Sequence, residues 1–162
     1  MTIPRVQVGN MIGLLEVLQD YKGKVDLAMV SDRLRLELDD ILPAVEAAKL
    51  LRLLQVQSGD LIITEEGIAL LANNVSARKK TLNKIISNLG EYKGIIDFIK
   101  KEHKGEISKS ELMDFLKENM PDVDPEETFS WIIEWGRYAL LLRYDSDSKK
   151  IKITKSPKDS AS

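Results

Sequence analysis

Proton transfer or metal binding needs side chains that ionise near neutrality or donate electron pairs, and this sequence holds few of them. His103 is the only histidine in 162 residues, and cysteine is absent. Thiolate nucleophiles, disulfides and cysteine-based zinc or iron–sulfur sites are thereby excluded. His103 lies between Lys101 and Lys104 at the end of a helical pattern, where its ring favours the helix C-terminus and no second ligand stands at metal-binding spacing. The carboxylate pairs Asp39-Asp40 and Glu126-Glu127 are the other candidates for acid/base work or a divalent cation. Both fall at predicted helix starts, where unpaired amide N–H groups and the helix dipole attract acids, so capping is the reading they carry. Neither a nucleophile elbow of the G-x-S-x-G type nor a G-x-x-x-x-G-K-[ST] phosphate loop occurs. No catalytic residue, metal ligand or cofactor site is expected, and the sequence predicts a protein that is not an enzyme.

Two clusters suit binding instead. Trp131, Trp135 and Tyr138, with Arg137 beside them, recur at helical spacing and are the candidate interface, because Trp, Tyr and Arg commonly anchor protein contacts. The alternative role for this stripe is internal packing, between two halves of the chain or against a linker helix. Arg78, Lys79, Lys80 and Lys84 form a candidate basic patch, read either as a solvated helix face or as a surface for nucleic acid or an acidic protein. The net charge of -2 and pI near 5.6 supply no global attraction to polyanions.

The elements that must position these residues are legible from caps and periodicity. Asp124-Pro125-Glu126-Glu127 combines an N-cap carboxylate, proline at the first helical position and an acid at the third. On the helix it opens, Phe129, Ile132, Ile133, Gly136 and Leu140 share one face. Trp131, Trp135, Tyr138 and Leu142 form a stripe almost opposite, and Ser130, Glu134 and Arg137 leave a narrow polar strip between. Residues 142–154 follow as a β-hairpin with a polar turn at 145–149.

Earlier in the chain, the pattern predicts a helix over about 9–21 with Ile12, Leu14, Leu15, Val17 and Leu18 inward, and a short extended segment at Val25. A second helix is capped by Asp26, and a turn follows at 37–39. A third helix has Asp40 as N-cap and Pro43 at its third position; its outward side offers Pro43, Glu46, Ala47 and Leu50, with Lys49 its only cation. A hairpin then turns at Ser58-Gly59-Asp60, and Thr64 caps another helix. This order recurs. At an offset of 82, Lys22-Gly23 meets Lys104-Gly105 and Asp26 meets Ser108; the offset becomes 84 at Asp40 and Asp124, and 90 where the hairpins end.

The expected fold is therefore mainly α with short β-hairpins: two tandem winged-helix-like repeats, at 1–75 and 91–154, joined by an amphipathic linker helix over 76–90. A disordered tail is expected over 155–162. With 43% hydrophobic residues and no apolar run of about 18, a soluble cytoplasmic protein is predicted, with no direct membrane insertion and any membrane contact made through a partner.

Val6-Gln7-Val8-Gly9, Gly13-Leu14-Leu15-Glu16, residues 38–43 (LDDILP) and above all 133–139 (IEWGRYA) resemble the C-terminal AAA-associated domain family. That family is typically found behind the ATP-binding subunit of nitrate, sulfonate, taurine or bicarbonate type ABC transporters, chiefly in archaea and bacteria. The resemblance implies an interaction or regulatory module whose partner is a separately encoded ATP-binding subunit. Without a phosphate loop, it describes the appendage and not the motor. A homodimer is the other protein partner considered.

The contrasting expectation is a winged-helix DNA-binding transcriptional regulator, whose third helix would lie in the major groove. Both candidate recognition helices open with carboxylates, which disfavours phosphate contact. Net charge separates the halves only weakly, at -4 over 1–75 and +2 over 76–162.

Overall fold

The computed structural model describes residues 3–154. They are mainly helical, with eight helices and six short strands among the described residues, the strands forming two three-stranded antiparallel sheets. The chain divides into two compact units, one spanning Pro4–Arg78 and the other Lys79 onward together with Ile3. The tail expected to be disordered, 155–162, lies outside the described residues.

The first unit opens with α1 (Val8–Asp20), whose predicted inward residues Ile12, Leu14, Leu15, Val17 and Leu18 are all buried. Lys22 and Gly23, both at positive φ, turn the chain into β1 (Lys24–Asp26). The Asp26 carboxylate accepts from the Met29 amide at 2.8 Å and so starts α2 (Leu27–Leu34). Left-handed Arg35 ends it. The next helix, α3 (Leu38–Leu50), begins earlier than its acids suggest.

Glu37, not Asp40, is the N-cap, and its carbonyl accepts from the Asp40 and Ile41 amides at 3.0 and 3.3 Å. Leu38 and Asp39 are therefore helical rather than turn, and Pro43 lies inside the helix. The acids still meet the positive end of the dipole, one turn inside it. Ala47, expected outward, is 2% exposed. The outward stripe is Leu38, Leu42 and Glu46.

The strands β2 (Leu54–Gln57) and β3 (Asp60–Ile63) form a hairpin. Its two turn residues, Ser58 and Gly59, have φ of 51° and 85°, the left-handed pair that a tight two-residue hairpin requires. β1 pairs with the other edge of β3, giving the order β1-β3-β2 with Val25 opposite Leu61 and Leu54 opposite Ile63. Thr64 accepts from the Gly67 amide at 3.1 Å and donates to the Arg52 carbonyl at 2.8 Å, which starts α4 (Glu65–Ala72) and ties it to the end of α3.

Next comes α5 (Val75–Ser87), followed by α6 (Gly90–His103), β4 (Glu106–Ser108), α7 (Lys109–Asn119), α8 (Pro125–Tyr138), β5 (Leu142–Asp145) and β6 (Lys150–Ile153). Sheet order β4-β6-β5 matches that of the first unit. Matching extends to single bonds: Ile63 N–H donates to Gly23 C=O and Ile153 N–H to Gly105 C=O, both at 2.8 Å. Leu53 likewise donates to Ala48 and Leu141 to Gly136, again both at 2.8 Å. Arg52 and Leu140 hold equivalent left-handed positions, with φ of 61° and 60°.

These pairs put the offset at 88 where the third helices end, and the two N-caps, Glu37 and Asp124, stand 87 apart, so Asp124 falls at the start of α3 and not at Asp40. Leu140, expected on the buried face of α8, instead lies beyond the helix and is exposed. Its left-handed backbone turns the chain toward β5 before the helical phase could carry the side chain inward.

Candidate interaction surface

α8 is built as its cap predicts. Asp124 accepts from the Glu126 amide at 3.3 Å, Pro125 occupies the first position, and Phe129, Ile132, Ile133 and Gly136 are buried. At α7, Ser108 accepts from the Glu111 amide at 3.1 Å and donates to the Glu111 carboxylate at 2.9 Å. The other Glu111 oxygen is 3.3 Å from His103 Nδ1, and the His103 ring lies edge-on to Phe98, which stacks on Phe115. The lone histidine thus fastens the end of α6 to the start of α7. Glu126 is likewise engaged, 3.2 Å from Lys109 Nζ, and Lys109 also lies over the Phe129 ring.

The three aromatic residues and Arg137 separate by environment, and Leu142, expected to continue the stripe, lies in β5 and is buried. Trp135 is fully buried and is the largest fully buried side chain. It belongs to a core, not to an outward surface, because its position faces inward with Ile132 and Gly136. Trp131 and Tyr138, seven residues apart and hence on one side of α8, are half-buried. Trp131 Nε1 lies 3.5 Å from Glu127 Oε1, and Lys79 Nζ lies 5.5 Å from the centre of the Tyr138 ring, a cation–π contact. Arg137 is exposed but anchored: it donates to the Tyr144 carbonyl at 2.8 Å and lies over the Tyr144 ring.

The basic cluster divides similarly. Arg78 turns back to donate to the Leu71 carbonyl at 3.0 Å, satisfying an acceptor in the last turn of α4. Lys79 engages Tyr138, while Lys80 and Lys84 are exposed one turn apart. No four-residue cationic surface results. Lys79 joins the two clusters that the sequence presents as separate.

Two supporting residues escape a reading by periodicity. Asn83, buried on the core side of α5 between Leu82 and Ile86, donates to the Ala139 carbonyl at 2.8 Å, just past the end of α8. A polar residue inside an apolar stripe was its only sequence signal. Tyr92 is fully buried and donates to the Ile132 carbonyl at 2.7 Å, and burial pushes its phenol far above the ordinary tyrosine range. The phenol reaches that carbonyl because position 136 is glycine. A Cβ there would collide with the Tyr92 hydroxyl and stand 2.5 Å from Leu142 Cγ.

The segment 133–139 is thus a packing motif whose tryptophan fills the core and whose glycine admits a tyrosine hydroxyl to the helix backbone. The profile of the C-terminal AAA-associated domain matches residues 28–145, most of the chain. This protein belongs to that family. No curated protein matches the sequence. The matched region of this AAA-associated domain takes in α8, β5 and both residue clusters, whereas Val6–Gly9 and Gly13–Glu16 precede it.

Among the described residues no group of three His, Asp or Glu side chains is placed to hold a metal ion, and no described helix is long and apolar enough to cross a membrane. A cleft of about 390 Å³ opens beside the start of α7, lined among others by Lys109, Asp114, Lys117 and Glu126. Its charges are mixed, and Lys109 and Glu126 already pair with each other.

Proposed function

We propose that this AAA-associated domain is a non-enzymatic interaction module, built of two winged-helix-like units, that docks onto a separately encoded ABC transporter ATP-binding subunit and regulates or positions it. The family match over residues 28–145 carries this reading. It is supported by the half-exposed pair Trp131 and Tyr138, two aromatics held on one side of a helix that Asp124, Tyr92 and Arg137 fix in place. Such a chain works in the cytoplasm and reaches the membrane through its partner. The order helix, strand, helix, helix, hairpin, with the lone strand paired to the second hairpin strand, supports the winged-helix description of each unit.

The same architecture can read DNA, but the third helices oppose that use. α3 presents Leu38, Leu42 and Glu46 outward, and its Lys49 pairs with Glu46 at 3.5 Å. α8 presents Glu126, Glu127 and Ser130. Carboxylates in place of lysine and arginine would repel phosphates.

Recovery of the tagged protein from its native cells, with and without nuclease, tests the proposal. An ATP-binding transport subunit identified by mass spectrometry in both samples is expected. Recovery of DNA and transcription proteins only without nuclease would sink it in favour of a regulator.

A further inference from the structure

The first unit exposes four large apolar side chains along α2, α3 and the turn between them. Met29, Leu36, Leu38 and Leu42 are 41% to 47% exposed. Leu38 and Leu42, one turn apart, form a stripe on α3, and Leu36 stands beside its start. The second unit supplies an internal comparison, because the same helices recur there. At the offset of 82 that relates α2 to α7, Met29 corresponds to Glu111; Leu36 follows left-handed Arg35, where α7 is still helical, and has no counterpart. At the offset of 88 that relates α3 to α8, Leu38 and Leu42 correspond to Glu126 and Ser130. Met29, Leu38 and Leu42 are thus apolar where the second unit carries polar residues. The backbone arrangement tolerates acids there, so packing within a unit does not require leucine or methionine.

The surroundings specify what would cover this face. Glu37, Asp39, Asp40 and Glu46 are exposed around it. Of the nearby cations, Arg33 is opposed by Asp20 at 3.6 Å and Lys49 by Glu46, which leaves exposed Arg35 against Glu37, Asp39 and Asp40 and the rim acidic. A second copy of the chain placing the same face against it would bring like-charged rims together. The remaining exposed large apolar residues, Val56, Ile68, Val75 and Leu140, stand on other elements and offer no matching stripe.

We infer that the α2–α3 face of the first unit binds an amphipathic helix of a partner protein, whose leucine-like stripe covers Leu36, Leu38 and Leu42 and whose lysines and arginines meet Glu37, Asp39, Asp40 and Glu46. This docking mode uses i, i+3, i+4 anchors on a groove or stripe with complementary charge at the rim. The surface is separate from Trp131 and Tyr138, and it stands whether or not those residues contact an ATP-binding subunit.

The probe is a synthetic helical peptide about five turns long with leucines at helical spacing and lysine or arginine on the flanks. It is titrated into the isotopically labelled full chain at about 0.15 M salt, where weak long-range attraction is screened. Backbone amide shifts confined to α2, α3 and their turn are expected, with no binding by the same peptide carrying glutamate flanks. The variant Leu38→Glu with Leu42→Ser, which installs the second unit's residues, should fold and lose about tenfold or more in affinity, as expected when apolar anchors are removed. Asp39→Asn with Asp40→Asn should weaken binding and flatten its salt dependence. Shifts that map elsewhere, or unchanged affinity in both variants, would overturn the inference. So would sedimentation showing a dimer of the unmodified chain that Leu38→Glu with Leu42→Ser converts to monomer.

Discussion

Trp135 and Trp131 lie one turn apart in the same helix, yet one is core and the other half-exposed. Truncation separates them experimentally. Trp135→Ala should destabilise the fold by about 3–5 kcal/mol, the usual cost of removing a large buried aromatic, and denaturant unfolding measures it. A loss below about 1 kcal/mol would contradict the buried assignment. Asp145 supplies a second residue-scale test in the β5–β6 turn. The Asp147 amide and then the Ser148 side chain favour its charged form, outweighing a small opposing desolvation, and hold its carboxyl below the ordinary aspartate value. A depressed folded value means that this carboxylate's contribution is present above the unfolded value and is lost as pH falls through the folded one. Side-chain carboxyl shifts followed by NMR should therefore give an Asp145 midpoint below that of aspartate in a short unstructured peptide. An equal midpoint would remove the turn's hydrogen bonds from the account.

Among the elements, the helix starts read from a side-chain cap at Asp26, Thr64, Ser108 and Asp124 were legible in the sequence, and the start of α3 was not. Asp26, Thr64, Ser108 and Asp124 each accept from an amide in the first turn, as their positions predicted. α3 lacks a side-chain cap at Glu37, so its acids at the second and third positions mimicked a cap and displaced its predicted start. The aromatic stripe was harder because helical spacing says which residues share a face, not how far a neighbouring element covers it. Trp131 and Tyr138 are partly covered while Trp135 is enclosed, and spacing alone cannot separate them.

Gly136 is a place where element packing leaves no room for a side chain. Gly136→Ala should cost about 1–3 kcal/mol by overpacking despite alanine's better helix propensity. Tyr92→Phe in that background should recover part of the loss, since it removes the hydroxyl that the new Cβ meets. Non-additivity in that double-mutant cycle, read from denaturation midpoints, is the expected result. Simple addition of the two losses would place the clash elsewhere.

At the scale of the whole molecule, the repeat connects sequence to function. Both units share the sheet order and the left-handed turns at Lys22-Gly23 and Lys104-Gly105 and at Arg52 and Leu140, but they spend their surfaces differently: the first exposes apolar residues on α2 and α3, where the second carries acids and a serine. A pair of units specialised in this way suits a chain that contacts more than one surface. Membership of the C-terminal AAA-associated domain family directs attention to an ATP-binding transport subunit as one of them. The most direct test titrates the purified chain with that purified subunit, and in parallel with duplex DNA, by calorimetry. Saturable binding to the subunit is predicted, weakened about tenfold or more by Trp131→Ala with Tyr138→Ala in a protein that remains folded, with no comparable binding to DNA. Salt-sensitive binding to DNA without binding to the subunit would contradict the account.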